Sequence, residues 1–398
     1  MPSGWKYDLI TNICSKIVDG DHNPPVAQKQ ISPYIMLSSK NINEDAITNL
    51  NDVRYLSKAD FDISNNRTKV TKGDVLFTSV GSIGRTCIYD LVVPVAFQRS
   101  VTVMTTYIYN RYFKLFLDSP LYQNYVFENA RGTAQKGFYI NQIENSLIPI
   151  PPYNEQIKIV EITEKLLFFV KKIEEERNNI IENIYRIKSE ILDLAISGKL
   201  VPQNSADEPA IELLRKINPA FKPCDNSHYE NLPNGWCVCL LKDIFEINMG
   251  QSPDGDTVNN ENGVEFHQGK ICFTNEYLLP SGVYTSKPTK IAEANSLLLC
   301  VRAPVGILNI TKRKICIGRG LCSLKPKYET DNKYWFYILS AYKDYFEQNA
   351  TGSTFKAISG DTIKNTVVLL PPLNEQIRIT KTISSLFSIL DTITAELQ

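Results

Sequence analysis

Arginine, glutamine and lysine side chains gather in short polar or turn-marked stretches at two places in this chain. In the first half they are Gly81, Ser82 and Arg85, then Gln98 and Arg99, then Thr133, Gln135 and Lys136. In the second half Arg302, Arg319, Ser353, Thr354 and Lys356 occupy comparable places. Arg and Gln can pair bidentately with guanine and adenine edges in a major groove. Ser, Thr and Lys commonly hold phosphates. Taken singly, each residue reads equally well as a solvated surface side chain. Charge adds a bias: residues 285–356 hold 12 Lys/Arg against five acids, a difference of +7 on a chain whose formal net charge is zero. A local basic face can engage phosphates even when the whole chain is neutral.

Catalytic equipment is sparse. Asn23-Pro24-Pro25-Val26 has three residues of the Asn/Asp-Pro-Pro-aromatic loop of amino-methyltransferases, but Val26 cannot stack on a flipped base. No glycine-rich cofactor loop accompanies it, so it reads as a proline-stiffened loop. Asp19-Gly20-Asp21-His22 contains metal-ligand types, yet His22, His228 and His267 do not pair at a ligand-like spacing. Cys237-Val238-Cys239 would put its thiols on opposite faces of a strand, which is wrong for zinc. There is no Gly-x4-Gly-Lys-Ser/Thr phosphate loop, and Gly81-Ser82-Ile83-Gly84-Arg85 is short enough to be a tight strand turn. The expectation is a chain without catalytic or metal-binding residues.

A length of 398 residues suits two or three domains. Hydrophobic content of 43% and charged content of 22% are ordinary for a globular protein. No window is apolar for long enough to span a bilayer, and Met1-Pro2-Ser3-Gly4-Trp5-Lys6 does not read as a secretory leader. Nine irregularly spaced cysteines read as thiols in a reducing cytoplasm.

The elements that must position these side chains come as a duplication. Pro151-Pro152-Tyr153-Asn154-Glu155-Gln156 returns as Pro371-Pro372-Leu373-Asn374-Glu375-Gln376, and Asn129-Ala130-Arg131-Gly132-Thr133 pairs with Asn349-Ala350-Thr351-Gly352-Ser353 at the same offset of 220. Pro2-Ser3-Gly4-Trp5 recurs as Pro233-Asn234-Gly235-Trp236. Internal repeats decide an architecture before any local feature does. Residues 1–150 and 232–370 read as two mixed heads, with short β-rich runs such as Val75–Thr78 and Val101–Met104 between Gly and Pro turns. From Asn154 to Ser197 there is neither Gly nor Pro. Leu166, Val170, Ile173, Ile180, Ile184, Ile187, Ile191 and Leu194 step by four and three, with Arg177 in the one missing seam place. Such a heptad stripe predicts a coiled-coil helix, with Asn154 as N-cap and Gly198 as stop. Its 44 residues would extend roughly 66 Å. Ile379, Ile383, Leu386, Leu390, Ile393 and Leu397 repeat the pattern, so the two stripes are expected to zip together. A core helix of a globular bundle is the alternative. The expected order is a first head (1–150), a central helix (151–198), a linker (199–231) with a short helix near Ala210–Ile217, a second head (232–370) and a short distal helix (371–398).

With these segments on the page, the chain resembles the specificity subunit of type I restriction–modification systems. The two Pro-Pro-x-Asn-Glu-Gln motifs carry the resemblance, with Ala195-Ile196-Ser197-Gly198-Lys199-Leu200-Val201-Pro202-Gln203, Asp207-Glu208-Pro209-Ala210-Ile211-Glu212-Leu213-Leu214, Leu232-Pro233-Asn234-Gly235-Trp236 and Gly250-Gln251-Ser252-Pro253. It covers essentially the whole chain. The resemblance implies an α+β fold: two mixed α/β target recognition domains separated by long antiparallel coiled-coil helices, with pseudo-two-fold internal symmetry. It implies that each head reads one half of a split site on double-stranded DNA and that the helices act as a ruler. It implies two methyltransferase subunits and restriction/translocase subunits as partners. S-adenosylmethionine, ATP and Mg would sit on those partners, with no cofactor bound by this chain and no chemistry of its own.

Symmetry of this kind predicts two half-sites at fixed spacing. The heads differ in length, 149 positions from Pro2 to Pro151 against 138 from Pro233 to Pro371, so the half-sites should differ too. The chain departs from the family pattern in its distal helix, which has 25 residues after Leu373 against 44 in the central one. Exposure of Ile187, Ile191 and Leu194, and self-association through that unpaired half, are the expected consequences. Two rival functions are a coiled-coil protein-binding scaffold without sequence-specific DNA binding, and a stand-alone DNA methyltransferase or nuclease.

Overall fold

Each head is closed at its base by the two ends of its own sequence. Lys6–Leu9 pairs antiparallel with Leu147–Ile150, from Lys6 opposite Ile150 to Leu9 opposite Leu147. Cys237–Leu240 does the same with Val367–Leu370. A computed structural model describes residues 2–43, 45–132, 136–223, 232–352 and 356–397. The chain divides into two units, residues 1–174 and 175–398.

In the first unit a four-stranded antiparallel sheet runs in the order Cys14–Asp19, Val101–Thr106, Val75–Thr78, Thr86–Ile88. Beside it Ile35–Leu37 lies parallel to Val95–Phe97. The second unit repeats this plan with Phe245–Met249, Leu321–Pro326, Ser296–Cys300 and Leu308–Thr311, and with Val264–His267 parallel to Ile315–Ile317. Val75-Leu76-Phe77-Thr78 and Ser296–Cys300 are buried along their whole length. That explains why they read as continuous runs and not as an alternation. The helix Asn332–Ala341 anchors the second core through Tyr334 and Trp335, both fully buried, with Trp335 edge-on to Phe245 at 5.1 Å.

The repeated motifs build the joint between head and helix. Pro152 accepts the N–H groups of Glu155 and Gln156 at 2.8 and 3.1 Å, and Pro372 accepts those of Glu375 and Gln376 at 2.9 and 3.0 Å. The Gln156 amide donates to Pro151 O (2.9 Å) while its oxygen accepts the N–H of Tyr109 (3.0 Å). Gln376 donates to Pro371 O (3.0 Å) and accepts from the hydroxyls of Tyr328 and Thr330 (3.0 and 3.1 Å). Gly4 and Gly235 lie at φ +84° and +80°, and a Cβ on either would press on Pro152 or Pro372 at 3.3 or 3.1 Å. Trp5 donates its indole N–H to Glu155 at 3.0 Å.

The central helix spans Tyr153–Ile196, one residue earlier at each end than the expected 154–197, because the Pro152 carbonyl and not the Asn154 side chain starts it. Gly198, at φ +68°, stops it as expected. The short helix is Ala210–Ile217 and the distal helix Leu373–Glu396. Within the second unit the central helix is zipped antiparallel to the distal one. Lys188 meets Asp391 and lies over the Phe387 ring, while Gln203 reaches Glu375 (3.2 Å) near the opposite end. Ile184 and Ile191 are 6% and 8% exposed, and Ile379 and Ile383 are fully buried.

The expected exposure holds at Ile187 and Leu194 and is corrected at Ile191, which the distal helix covers. Ile191 is buried, and Ile187 and Leu194 are about two-fifths exposed. The stripe is most open in the other half: Leu166, Val170 and Ile173 are 59%, 52% and 67% exposed. Antiparallel helices start at opposite ends, so a short distal helix covers the end of the central helix and leaves its beginning bare.

Candidate nucleic-acid interface

Three loops converge at one end of the sheet in each unit. In the first, Val101 N–H donates to Gln98 O (3.0 Å), a tight turn that lifts Arg99 to its exposed apex. The segment after Cys14–Asp19 locks this turn: Gly20 N–H donates to Val101 O (3.0 Å), Asp21 N–H to Phe97 O (2.7 Å), and Arg99 N–H to Asp21 O (2.9 Å). Only glycine fits at position 20, since a Cβ would stand 2.2 Å from Phe97 O. The second loop joins Val75–Thr78 to Thr86–Ile88 and carries Val80, Gly81, Ser82 and Arg85. Gly81 and Gly84 take φ +87° and +89°, backbone that favours glycine, and Gly84 N–H closes the turn on Thr78 O at 2.9 Å. The third loop reaches the second through bridges of Gly137 with Val80 and Arg131, leaving Lys136 exposed.

The second unit reproduces most of these contacts, except that the Arg319 N–H turns to the Ser252 hydroxyl at 3.4 Å. Leu321 N–H donates to Gly318 O (3.0 Å), with Arg319 exposed at the apex; Gly250 N–H donates to Leu321 O (2.9 Å) and Gln251 N–H to Ile317 O (3.0 Å). A Cβ on Gly250 would meet Gly318 O at 2.2 Å. Gly306 N–H closes the hairpin loop on Cys300 O (2.9 Å), and Ala357 bridges Arg302 and Thr351. Arg99 therefore corresponds to Arg319, Lys136 to Lys356, Val80 to Arg302 and Arg131 to Thr351.

Of the sequence candidates, Gly81, Ser82, Arg85, Gln98, Arg99 and Lys136 meet in the first tip, and Arg302, Arg319 and Lys356 in the second. Thr133, Gln135, Ser353 and Thr354 lie outside the described residues. Arg85 is exposed but held, donating to Ile42 O (3.3 Å) and to the Asn43 side chain. Among the described residues Arg99, Lys136, Arg302, Arg319 and Lys356 form no salt bridge with one another or with any other described group, so their charge faces outward. Val80 and Arg131 were missed by sequence reasoning. Arg131 sits inside a quoted repeat, whereas Val80 carries no chemical signal until Arg302 is found in the same place.

Behind the second tip the strand Val264–His267 carries an ionic network at the place where the first head has Ile35–Leu37. Glu265 accepts from Arg313 (2.8 and 3.2 Å), from the Ser281 N–H (2.8 Å), and pairs with His267 Nε2 at 2.9 Å. Burial opposes its ionisation, but the bonds from Arg313, Ser281 and His267 outweigh burial and bring its pKa to about 2. Burial also lowers the pKa of His267, against the pull of Glu265. The His267 carbonyl accepts the Gly318 N–H at 2.8 Å, which ties the network to the turn that presents Arg319.

The sequence matches the type I restriction modification DNA specificity domain over residues 28–183 and again over 233–398. It is 29% identical over 403 residues to a protein of Methanocaldococcus jannaschii named as the type I restriction enzyme MjaX specificity subunit, covering 98% of this chain and 88% of the relative. It is 30% identical over 231 residues to the EcoBI specificity subunit of Escherichia coli, covering 54% of this chain and 48% of that protein. The fold is similar to that of a chain solved in work on the assembly and conformational transition of the type I R-M system, with a TM-score of 0.75 at 22% identity over all of this chain and 93% of the other. It is also similar to the HsdS subunit of Thermoanaerobacter tengcongensis, with a TM-score of 0.62 at 22% identity. With two matched domains spanning most of its length, this chain belongs to the type I restriction–modification specificity family.

Proposed function

We propose that this chain is the DNA-reading subunit of a type I restriction–modification complex, and that its two tips read the unlike halves of a split site on double-stranded DNA. The observation that carries this reading is the pair of tips: one backbone arrangement, built twice, presents unpaired cations beside side chains that differ between copies. Repetition suits a repetitive polymer, and difference suits two different base sequences.

Methyl transfer and strand cutting belong to partner subunits in this reading, and S-adenosylmethionine, ATP and Mg with them, in the cytoplasm. No helix of the described residues is long and apolar enough to cross a membrane. Self-association also belongs to the proposal, through the open stripe at Leu166, Val170 and Ile173, and a strict monomer at high concentration in sedimentation would remove it.

The test is selection of bound duplexes from a random pool by the chain with its methyltransferase subunit, at stated salt. Two short conserved blocks with a fixed gap are expected. Binding without preference would favour the protein-binding scaffold, and methyl transfer by the purified chain alone would favour a stand-alone enzyme.

A further inference from the structure

We infer that the residues common to the two tips hold phosphates, that the residues exchanged between them read bases, and that Arg302 is the reader of a guanine in the second half-site. This rests on the DNA-reading function proposed above and divides the labour within it.

The argument starts from the polymer. Every nucleotide offers the same phosphate, so two heads of common origin should grip the backbone with the same groups in the same places. Base edges differ, so the groups that read them should diverge. The hydrogen-bond correspondence sorts the residues. Arg99 and Arg319 crown the same turn, and Lys136 and Lys356 occupy the same position of the third loop. All four are exposed and conserve their charge across the duplication. The second residue of the hairpin loop is not conserved: it is Val80 in one tip and Arg302 in the other, each bridged to the third loop, to Gly137 or to Ala357.

Arg302 is exposed, and its neighbour Ala303 donates its N–H to Lys356 O at 3.1 Å. The shared Lys356 and the unshared Arg302 therefore sit on adjoining backbone segments of the same tip. The guanidinium fork matches O6 and N7 of guanine bidentately, whereas valine at the same place can offer only apolar contact, as to a thymine methyl. Arg85 is a weaker candidate, because its guanidinium is already engaged by Ile42 O and Asn43.

The experiment is random-duplex selection by the full chain in its methyltransferase complex, run for wild type, Arg302→Val, Arg302→Lys and Arg319→Ala, with salt titration on the selected site. Arg302→Val should weaken binding about 10- to 100-fold and erase a guanine preference at one position of the second block alone. Arg302→Lys, which keeps the charge, should erase most of the same preference and guards against a folding artefact. Arg319→Ala should weaken every sequence alike and reduce the salt slope by about one. Uniform weakening by Arg302→Val, with a reduced salt slope and the guanine preference intact, overturns the assignment. Loss of preference in the first block overturns it too. If wild type selects no block at all, the DNA-reading proposal itself fails, which is a separate result.

Discussion

The station behind each tip differs in chemistry while its backbone does not. In the first head Ile35–Leu37 runs parallel to Val95–Phe97, and Leu37 O accepts the N–H of Gln98 at 2.9 Å; Met36 and Leu37 are buried and the station is apolar. In the second head Val264–His267 takes that place beside Ile315–Ile317, and His267 O accepts the N–H of Gly318. Here Glu265 and His267, with side chains 11% and 1% exposed, are joined by Arg313. The Arg313 side chain is 40% exposed, so solvent screens its share of the trio, whereas the buried Glu265–His267 pair gives little net stability over apolar packing and must keep its partners. The difference teaches that the frame tolerates either filling at this station; the first head keeps its ionic contact elsewhere, where Asp19 meets His22 and Arg67 beside the segment that locks the Arg99 turn.

The largest expected effect tests a parallel contrast, between the zipped and open halves of the central helix. Ile383→Ala, in the closed seam, should destabilise the second unit by about 2–5 kcal/mol in denaturant melts. Leu166→Ala, on the open stripe, should change stability by less than about 0.5 kcal/mol. A large loss at Leu166 in the isolated chain would show that the stripe is already covered.

Next comes the tip frame. Gly250→Ala drives a Cβ into Gly318 O and should cost about 1–3 kcal/mol, with loss of the second selected block while the first survives. Loss of both blocks would mean that the heads do not read independently.

A similar or smaller effect is expected at the ionic station. Glu265→Gln keeps an acceptor for Ser281 but strips the charge facing Arg313, and should cost about 1–2 kcal/mol. Acid should act in the same direction. His267 has a folded pKa below its ordinary 6.5, so the unfolded chain binds more protons and stability falls as pH drops from that value. Glu265 adds a second loss between 4.5 and about 2. The first head has no counterpart at Ile35–Leu37, and its Asp19 contact is made to His22 and Arg67 side chains that are half exposed. Unit-resolved hydrogen exchange should therefore show the second unit opening first as pH is lowered from 7 to 4. Equal acid sensitivity would sink the contrast.

The smallest effect is at Lys188→Ala. Its partner Asp391 is 65% exposed, so the pair should contribute below about 1 kcal/mol.

The sequence alone determined the duplication, the head–helix order, the breaker-free central helix and the terminal glycine, because these depend on local propensity and on periodicity that survives in one dimension. The Pro-Pro-x-Asn-Glu-Gln and Gly-Trp motifs were legible as repeats but not as two sides of one joint, since Trp5 and Glu155 meet only on folding. Which half of the central helix stays bare was also beyond reading, because it follows from the antiparallel sense of the pair. The tip residues could be guessed by type, yet not matched. A constant offset of 220 sets Arg302 against Ser82, whereas the hairpin contacts set it against Val80. Loop insertions shift sequence offsets freely, while strand pairing and backbone hydrogen bonds fix places in space, so only the tertiary structure decided which residues of the two tips are counterparts.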